Sequence, residues 1–379
     1  MKILMMTPSY DPIIGGTETV VKNLTITLNR IGVEADVMTF NMDRKWEPNW
    51  KFILEEKCFK VYRISALNLF GKKTCPIGDF FKLHVLPDPS FRRILKDYDL
   101  LHFHDVVDLT LPLFSSFIKK PRVFHCHTLQ EIAPEYKKSA VLRRALLKSS
   151  DLFLTVSSGT ARLAKELGAD RIRMLPNGVD IDKFTIDPTD VPTQDREENL
   201  VLFVGRLESR KGIHVLLSSL DLLKTPVNLV LVGPNYSDEY SRKILSQVEN
   251  EKRKGKHTIA YRGSPNLDDL VKWYKKASIF VCPSLCETFG IVNIEAMSCG
   301  TPVIASDIEG IRDIIENGKD GLLVPPNNPS ALAGSVQYLL DNENVRTKLG
   351  KEGRKKVERE FSWRAIAEKL CGIYDEILS

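Results

Sequence analysis

Residues 283–315 read PSLCETFGIVNIEAMSCGTPVIASDIEGIRDII, and this stretch decides the fold. The apolar run just before it, residues 279–282, has the length and composition of a short buried strand. Residues 283–289 read as a loop. From Gly290 the spacing of Ile291, Ile294, Glu295, Ala296 and Ser298 is helical. Cys299-Gly300 ends that helix, because glycine is the usual residue just past a helix terminus. Thr301-Pro302 leads into a second strand at 303–306. Strand, loop, helix and strand in this order make the unit of a parallel βαβ sheet.

Two carboxylates lie eight positions apart in this unit, Glu287 in the loop and Glu295 inside the helix. Glu287 stands just before the helix N-terminus, where exposed N–H groups and the helix dipole favour negative charge. A ligand phosphate would be favoured at the same place. The loop follows the C-terminal end of a strand, where open α/β sheets bind ligands. Taken alone, the two acids read as a helix cap and a solvated face residue. Their surroundings turn the reading toward a site.

The pattern Glu287, seven residues, Glu295, continued by Ala296-Met297-Ser298-Cys299-Gly300-Thr301-Pro302-Val303, closely resembles the retaining GT-B glycosyltransferases of the glycosyltransferase 4 group. The resemblance runs nearly end to end. It implies an α/β protein of the GT-B fold, with two facing Rossmann-like domains, parallel sheets and a C-terminal helix returning to the first domain. The expected divisions are 1–187, an acceptor-side domain; 188–199, a linker; 200–361, a nucleotide-sugar-binding domain; and 362–379, the returning helix.

Length and composition agree with that class. A chain of 379 residues suits two ordinary cores, and 43% apolar with 27% charged residues is the balance of a soluble globular protein. No apolar run reaches the ~18 residues of a membrane span, and the N-terminal run is too short for a signal peptide, so a cytoplasmic location is expected. Seven cysteines without a CxxC spacing give neither a disulfide framework nor a zinc site. Residues 1–190 hold 28 Lys and Arg against 23 Asp and Glu, and the remainder holds 26 of each, so the excess of positive charge is all in the first half. Lys72-Lys73, Arg92-Arg93, Lys119-Lys120, Lys137-Lys138 and Arg143-Arg144 carry much of it. Such doublets are solvated faces, or else a surface for anionic lipid headgroups or a phosphate-bearing acceptor, which would make the protein peripheral at the inner membrane face. Residues 139–149 have the spacing of a basic amphipathic helix, which suits a core-facing surface helix or a membrane surface.

Taken from the N-terminus, residues 2–7 read as the first strand, followed by a turn-rich loop ending in Gly15-Gly16. Thr17 reads as the N-cap of a helix that runs to Arg30. Paired glycines at such a turn bring the backbone close to a ligand, although a plain tight turn uses them equally well. The resemblance assigns Gly15 and Gly16 to the donor diphosphate and the acceptor. Residues 41–96 show little periodicity. Leu100-Leu101-His102-Phe103-His104 and Arg122-Val123-Phe124-His125-Cys126-His127 are strands ending at histidines. A strand-end histidine is commonly a hydrogen-bonded structural residue; the resemblance places His127 against the donor sugar and leaves His104 as a weaker candidate.

The second domain opens with the strand at 200–204 and the loop Gly205-Arg206-Leu207-Glu208-Ser209-Arg210-Lys211-Gly212, before a helix. Arg206 and Lys211 suit a diphosphate, and the plain alternative is surface ion pairing. The resemblance makes them the diphosphate-binding pair and sets Gly233, in Gly233-Pro234, near the nucleotide. It makes Glu295 the ribose-binding acid and Glu287 the acid that holds the donor sugar and helps stabilise the cationic transition state, so that His127 and Glu287 are the expected catalytic residues. Phe289, Gly290, Ile291 and Val292, at the turn into the helix, complete the expected donor-binding set. The implied partners are a nucleotide-sugar donor, UDP- or GDP-linked, and a saccharide or lipid-linked acceptor; no nucleic acid is expected. No cofactor beyond the nucleotide-sugar co-substrate is implied. The triplets Asp97-Tyr98-Asp99 and Asp180-Ile181-Asp182 read as turn and cap acids, so no essential metal is expected. A GT-B nucleotide-sugar 2-epimerase or a non-catalytic nucleotide-sugar-binding module would share the fold. Either is disfavoured by the complete donor-site set.

Overall fold

The computed structural model describes residues 1–11, 15–40, 54–56, 58–64, 66–68, 85–87, 91–104, 110–116, 118–127, 150–166, 168–185 and 196–379. Two compact units result: Met1–Asn177 with Trp363–Ser379, and Gly178–Ser362. Most of the expected regions 41–96 and 139–149 lie outside the described residues, and so do Lys72-Lys73, Lys137-Lys138 and Arg143-Arg144.

In the first unit, apolar runs too short for helices become strands. They are β1 (Lys2–Met6), β2 (Glu34–Phe40), β3 (Leu54–Glu56), β4 (Phe59–Ile64), β7 (Leu100–His104), β8 (Arg122–Cys126), β9 (Leu152–Thr155) and β10 (Ile172–Met174). Their order is β10-β9-β8-β7-β1-β2-β4-β3, parallel except for β3 against β4. β5 (Ala66–Asn68) and β6 (Val85–Pro87) form a separate antiparallel ribbon. Helix α1 (Gly16–Arg30) and the terminal helix, here α11 (Trp363–Leu378), cover one face of the sheet. Val20, Val21, Leu24 and Leu28 meet Ile366, Leu370, Ile373 and Tyr374 in one core. The apolar stripe of the last helix thus belongs to the first unit. Thr17 does not cap α1: the N-cap is Gly15, two residues earlier, and the helix begins at Gly16. With glycine at the cap there is no side-chain acceptor, and the Gly15 carbonyl takes the Thr19 N–H at 3.1 Å.

Among its described residues the second unit has six strands, all parallel: β11 (Leu200–Val204), β12 (Asn228–Val232), β13 (Thr258–Tyr261), β14 (Ile279–Cys282), β15 (Val303–Ser306) and β16 (Leu322–Val324). The order is β13-β12-β11-β14-β15-β16. Winding therefore reverses between β11 and β14, the topological switch point at which open sheets take their ligands. The helices relevant below are α5 (Ile213–Leu220), α7 (Leu267–Lys276), α8 (Ile291–Ser298), α9 (Pro329–Asp341) and α10 (Glu343–Glu360).

The boundary differs from the sequence expectation. Residues 178–185, expected in the first domain, fall in the second unit. So does the described end of the expected linker. Arg196 belongs to that expected linker, yet it donates to Gly300 O at 2.8 Å, Cys299 O at 3.2 Å and Thr301 Oγ1 at 3.0 Å. Arg354 reaches the same end of α8, bonding Phe184 O at 2.7 Å and Ser298 Oγ at 3.1 Å. The last carbonyls of a helix lack partners within it and attract cations, so two guanidiniums anchor this segment. Among the described residues no helix is long and apolar enough to cross a membrane.

Candidate active site

The loops that leave the C-terminal ends of β11, β12, β13 and β14 are bonded to one another through their backbones. Gly205 N donates to Val232 O at 2.9 Å, Leu207 N to Pro234 O at 3.1 Å, Gly233 N to Gly263 O at 2.6 Å and Leu285 N to Arg210 O at 2.7 Å. Gly212 makes the closest approach. At φ +67° it lies in the left-handed region, and a Cβ there would sit 1.9 Å from Pro283 O. Only glycine permits both that conformation and that contact.

The contact joins the two halves of the expected site. Lys211 Nζ lies 2.5 Å from Glu287 Oε2, although 76 residues separate them. Both side chains are mostly buried, 14% and 10% exposed. Ser284 Oγ stands 3.5 Å from the same carboxylate oxygen. Arg206 is more open, 41% exposed, and pairs with Glu208 at 3.0 Å; Glu208 also accepts from Arg210 at 2.8 Å. Arg206 therefore carries an acidic neighbour that the diphosphate assignment did not include.

Helix α8 starts immediately beyond. Gly290, at φ +94°, precedes it, and the first-turn N–H groups of Ile291 and Val292 have no carbonyl within the helix to bond. Asn293 Nδ2 donates to Gly290 O at 3.1 Å and fixes the turn. Phe289 faces the other way: it is buried, with its ring 6.0 Å from that of Phe361. Its side chain is a core residue, leaving only its backbone for a ligand. Gly233 has a similar packing role, its carbonyl accepting from Tyr261 Oη at 2.8 Å.

One turn into α8, Glu295 accepts a hydrogen bond from Tyr274 Oη at 2.7 Å. Burial pushes the Glu295 carboxyl up to about 7, and the bond from Tyr274 works in the opposite direction. Tyr274 is fully buried on α7, and that burial, with the nearby carboxylate, holds its phenol well above the ordinary value. It is therefore a fixed donor. Sequence reasoning missed Tyr274 because a tyrosine at a core-facing helical position carries no signal of its partner. Arg206, Lys211, Gly233, Glu287, Phe289, Gly290, Ile291, Val292 and Glu295 all belong to the second unit, and of these Lys211 and Glu287 are in direct side-chain contact.

Gly15, Gly16 and His127 belong to the first unit. Glu18, bonded by Ser9 Oγ at 2.5 Å, folds over Gly15, while none of the described residues approaches the Cβ position of Gly16 within 4 Å. His102, His104, His125 and His127 are all buried and packed ring on ring, at centroid distances of 4.2 to 5.5 Å. Burial lowers all four, His127 to about 4 with Asn177 opposing, and the others well below the usual imidazole value. His102 Nδ1 lies 2.5 Å from Tyr374 Oη.

Among the described residues, ring nitrogens of His102, His104 and His125 lie within 4.8 Å of one another. Neutral imidazoles suit zinc or copper, but His104 has both ring nitrogens engaged, by Met5 Sδ at 3.3 Å and His127 Nε2 at 3.2 Å. The DxD acids satisfy backbone: Asp99 Oδ2 accepts Lys2 N at 2.7 Å, and Asp180 Oδ1 accepts the N–H groups of Asp182 and Lys183 at 3.2 Å each.

Comparison with known proteins bears on both units. Residues 14–183 match the model of Glycosyltransferase Family 4, and residues 189–356 match that of Glycosyl transferases group 1. An uncharacterized glycosyltransferase of Methanocaldococcus jannaschii is 28% identical over 99% of this chain and 98% of its own length. A D-inositol 3-phosphate glycosyltransferase of Corynebacterium efficiens is 30% identical over 74% of this chain and 72% of its own. Among solved structures, a sucrose-phosphate synthase from Thermosynechococcus elongatus superimposes with a TM-score of 0.79 at 25% identity, covering 100% of this chain and 99% of its own. HepE from Anabaena, solved in complex with UDP and glucose, shares the fold at 19% identity, with a TM-score of 0.74 over 99% of this chain and 100% of its own.

Proposed function

Because the chain belongs to the group 1 glycosyltransferases and is a hexosyltransferase of GT-B fold, we propose that it moves a hexosyl residue from a UDP- or GDP-linked sugar to an acceptor hydroxyl, with retention of configuration. The observation that carries the donor half is the Lys211–Glu287 pair at the switch point, next to the N-terminus of α8. A nucleoside diphosphate presents two charges to satisfy and a ribose diol to recognise. Lys211 and Arg206 supply cations for the diphosphate, and the first-turn N–H groups of α8 supply neutral donors. Glu295 accepts from the diol, and Glu287 holds the sugar hydroxyls.

As the bond from the anomeric carbon to the phosphate oxygen breaks, positive charge develops on the sugar and negative charge on the leaving oxygen. Preorganised cations and N–H groups at that oxygen lower the barrier. The acceptor oxygen forms its bond on the same face, and its proton passes to the departing phosphate. No metal is needed in this scheme, because the cations neutralise the leaving group. The family resemblance also assigns His127 to the donor sugar and Gly15-Gly16 to the diphosphate and the acceptor.

The acceptor is a saccharide or a lipid-linked saccharide in glycan or glycolipid synthesis. The exposed, basic Arg92-Arg93 pair supports an anionic surface as its setting. The test is turnover: the purified protein with each nucleotide sugar, scored for release of the free nucleoside diphosphate. One donor class should be consumed by the wild type and not by Lys211→Ala. Consumption of none, with or without saccharide acceptors, would overturn the reading.

A further inference from the structure

Met5 Sδ, on β1, lies 3.3 Å from His104 Nε2 at the end of β7, and His104 Nδ1 lies 3.2 Å from His127 Nε2. A thioether has lone pairs and no hydrogen, so it accepts and never donates. A neutral imidazole has one N–H and one lone pair, and burial keeps both histidines neutral near pH 7. The roles then follow in sequence. His104 directs its N–H at the sulfur from Nε2, which leaves the lone pair on Nδ1. His127 must therefore hold its proton on Nε2 to donate to it. The reverse arrangement would face lone pair with lone pair at Met5.

We infer that Met5, acting through His104, is a positioning residue that holds His127 in the Nε2–H form and presents Nδ1 as a bare acceptor for a ligand hydroxyl. Neither His127 Nδ1 nor Asn177 Oδ1 makes a hydrogen bond of ordinary geometry among the described residues, although the Asn177 side chain lies close enough to His127 to favour its protonated form. Asn177 is the competitor, since an amide can offer either its oxygen or its nitrogen. The sulfur cannot change its role. That the hydroxyl belongs to a donor sugar rests on the transferase reading above; the position of the proton does not.

The test is nitrogen NMR on the full-length protein labelled with 15N-histidine, with long-range proton–nitrogen correlations at pH 7.5 and His127 identified by loss of its signals in His127→Gln. The expected spectrum shows Nε2 protonated and Nδ1 bare, with a preference of roughly fivefold or more, the ratio one net hydrogen bond supports. Met5→Leu keeps the volume and removes the acceptor, so the two forms should approach equal population while the signals of His214 and His257, in the other unit, stay in place. A wild-type His127 protonated on Nδ1 would show that Asn177 governs and overturn the inference. So would a Met5→Leu spectrum unchanged from wild type. If the Nε2–H form is found in a protein that consumes no nucleotide sugar, the inference holds and the transferase reading fails.

Discussion

Lys211 and Glu287 meet over 2.5 Å although they leave different strands, β11 and β14, and this pair ties together the two loops at the reversal of the sheet. Each partner is mostly buried. Removing one leaves the other charge uncompensated, which costs more than the net worth of the pair. Lys211→Met should destabilise the second unit by about 3 kcal/mol, and the double variant Lys211→Met/Glu287→Leu should cost less than the two single changes added. Chemical denaturation of the four proteins measures this. Lys211→Met should also lower kcat/KM by roughly 10²–10³, the scale of losing one preorganised group at the leaving oxygen.

With Glu295 as the proposed ribose acid, donor binding should depend on pH. Its carboxyl, held up to about 7 by burial, must be ionised to accept well from a ribose diol. Affinity should therefore rise with pH through about 7. At one unit below that value only roughly a tenth of the protein is ionised, so binding near pH 6 should be several-fold weaker than near pH 8. Tyr274→Phe removes the bond that opposes the upward shift, and the inflection should move to higher pH. Calorimetric titration with the nucleoside diphosphate measures both, and a 2′,3′-dideoxy analogue should lose the dependence.

Gly212 and Gly334 form a contrasting pair. At Gly212 an added Cβ meets Pro283 O at 1.9 Å in a left-handed backbone, so Gly212→Ala should cost about 2 kcal/mol or more and weaken donor binding with it. Gly334, on the exposed face of α9, has nothing within 4 Å of its Cβ position and ordinary helical geometry. Gly334→Ala should stabilise by about 0.5–1 kcal/mol. Urea unfolding of the two variants separates the effects.

The two units should respond to acid with opposite sign. In the first, four buried histidines have folded values below the usual 6.5, so the unfolded chain binds protons that the folded one does not. Their contribution is present above 6.5 and is lost as pH falls below it, for His127 down to about 4, at up to roughly 1.4 kcal/mol per pH unit for each histidine. In the second unit Glu295 is raised from 4.5 to about 7, so the folded state holds the extra proton between those values and gains stability as pH falls. Scanning calorimetry from pH 7 to 5 should show the transition of the first unit moving down relative to that of the second.

Much of this was legible from residues 279–306, because a buried strand, a glycine-terminated helix and a second strand each leave a local pattern. The resemblance extended that reading to the donor-side residues. What stayed hidden was chiefly pairing across distance. Nothing in the sequence tells that Glu208 faces Arg206, that Tyr274 holds Glu295, or that Arg196 leaves an apparent linker to cap α8. The helices Glu239–Lys254 and α10 went unassigned because few apolar residues, such as Ile244 and Val248 in the former and Leu349 and Val357 in the latter, mark their buried faces. Phe289 shows the limit of motif transfer: it sits inside the expected donor-binding set, and its ring belongs to the core.

The central claim is that the loops at the switch point bind a nucleoside diphosphate sugar, and thermal unfolding of the full-length protein with UDP, GDP, ADP and their sugar forms tests it most directly. At about a hundred times the dissociation constant, binding to the folded state alone adds about 2.7 kcal/mol, or about 5–10 °C for a unit of this size. One nucleotide class should give that rise in the wild type and none in Lys211→Ala. No rise with any nucleotide or nucleotide sugar would contradict the claim.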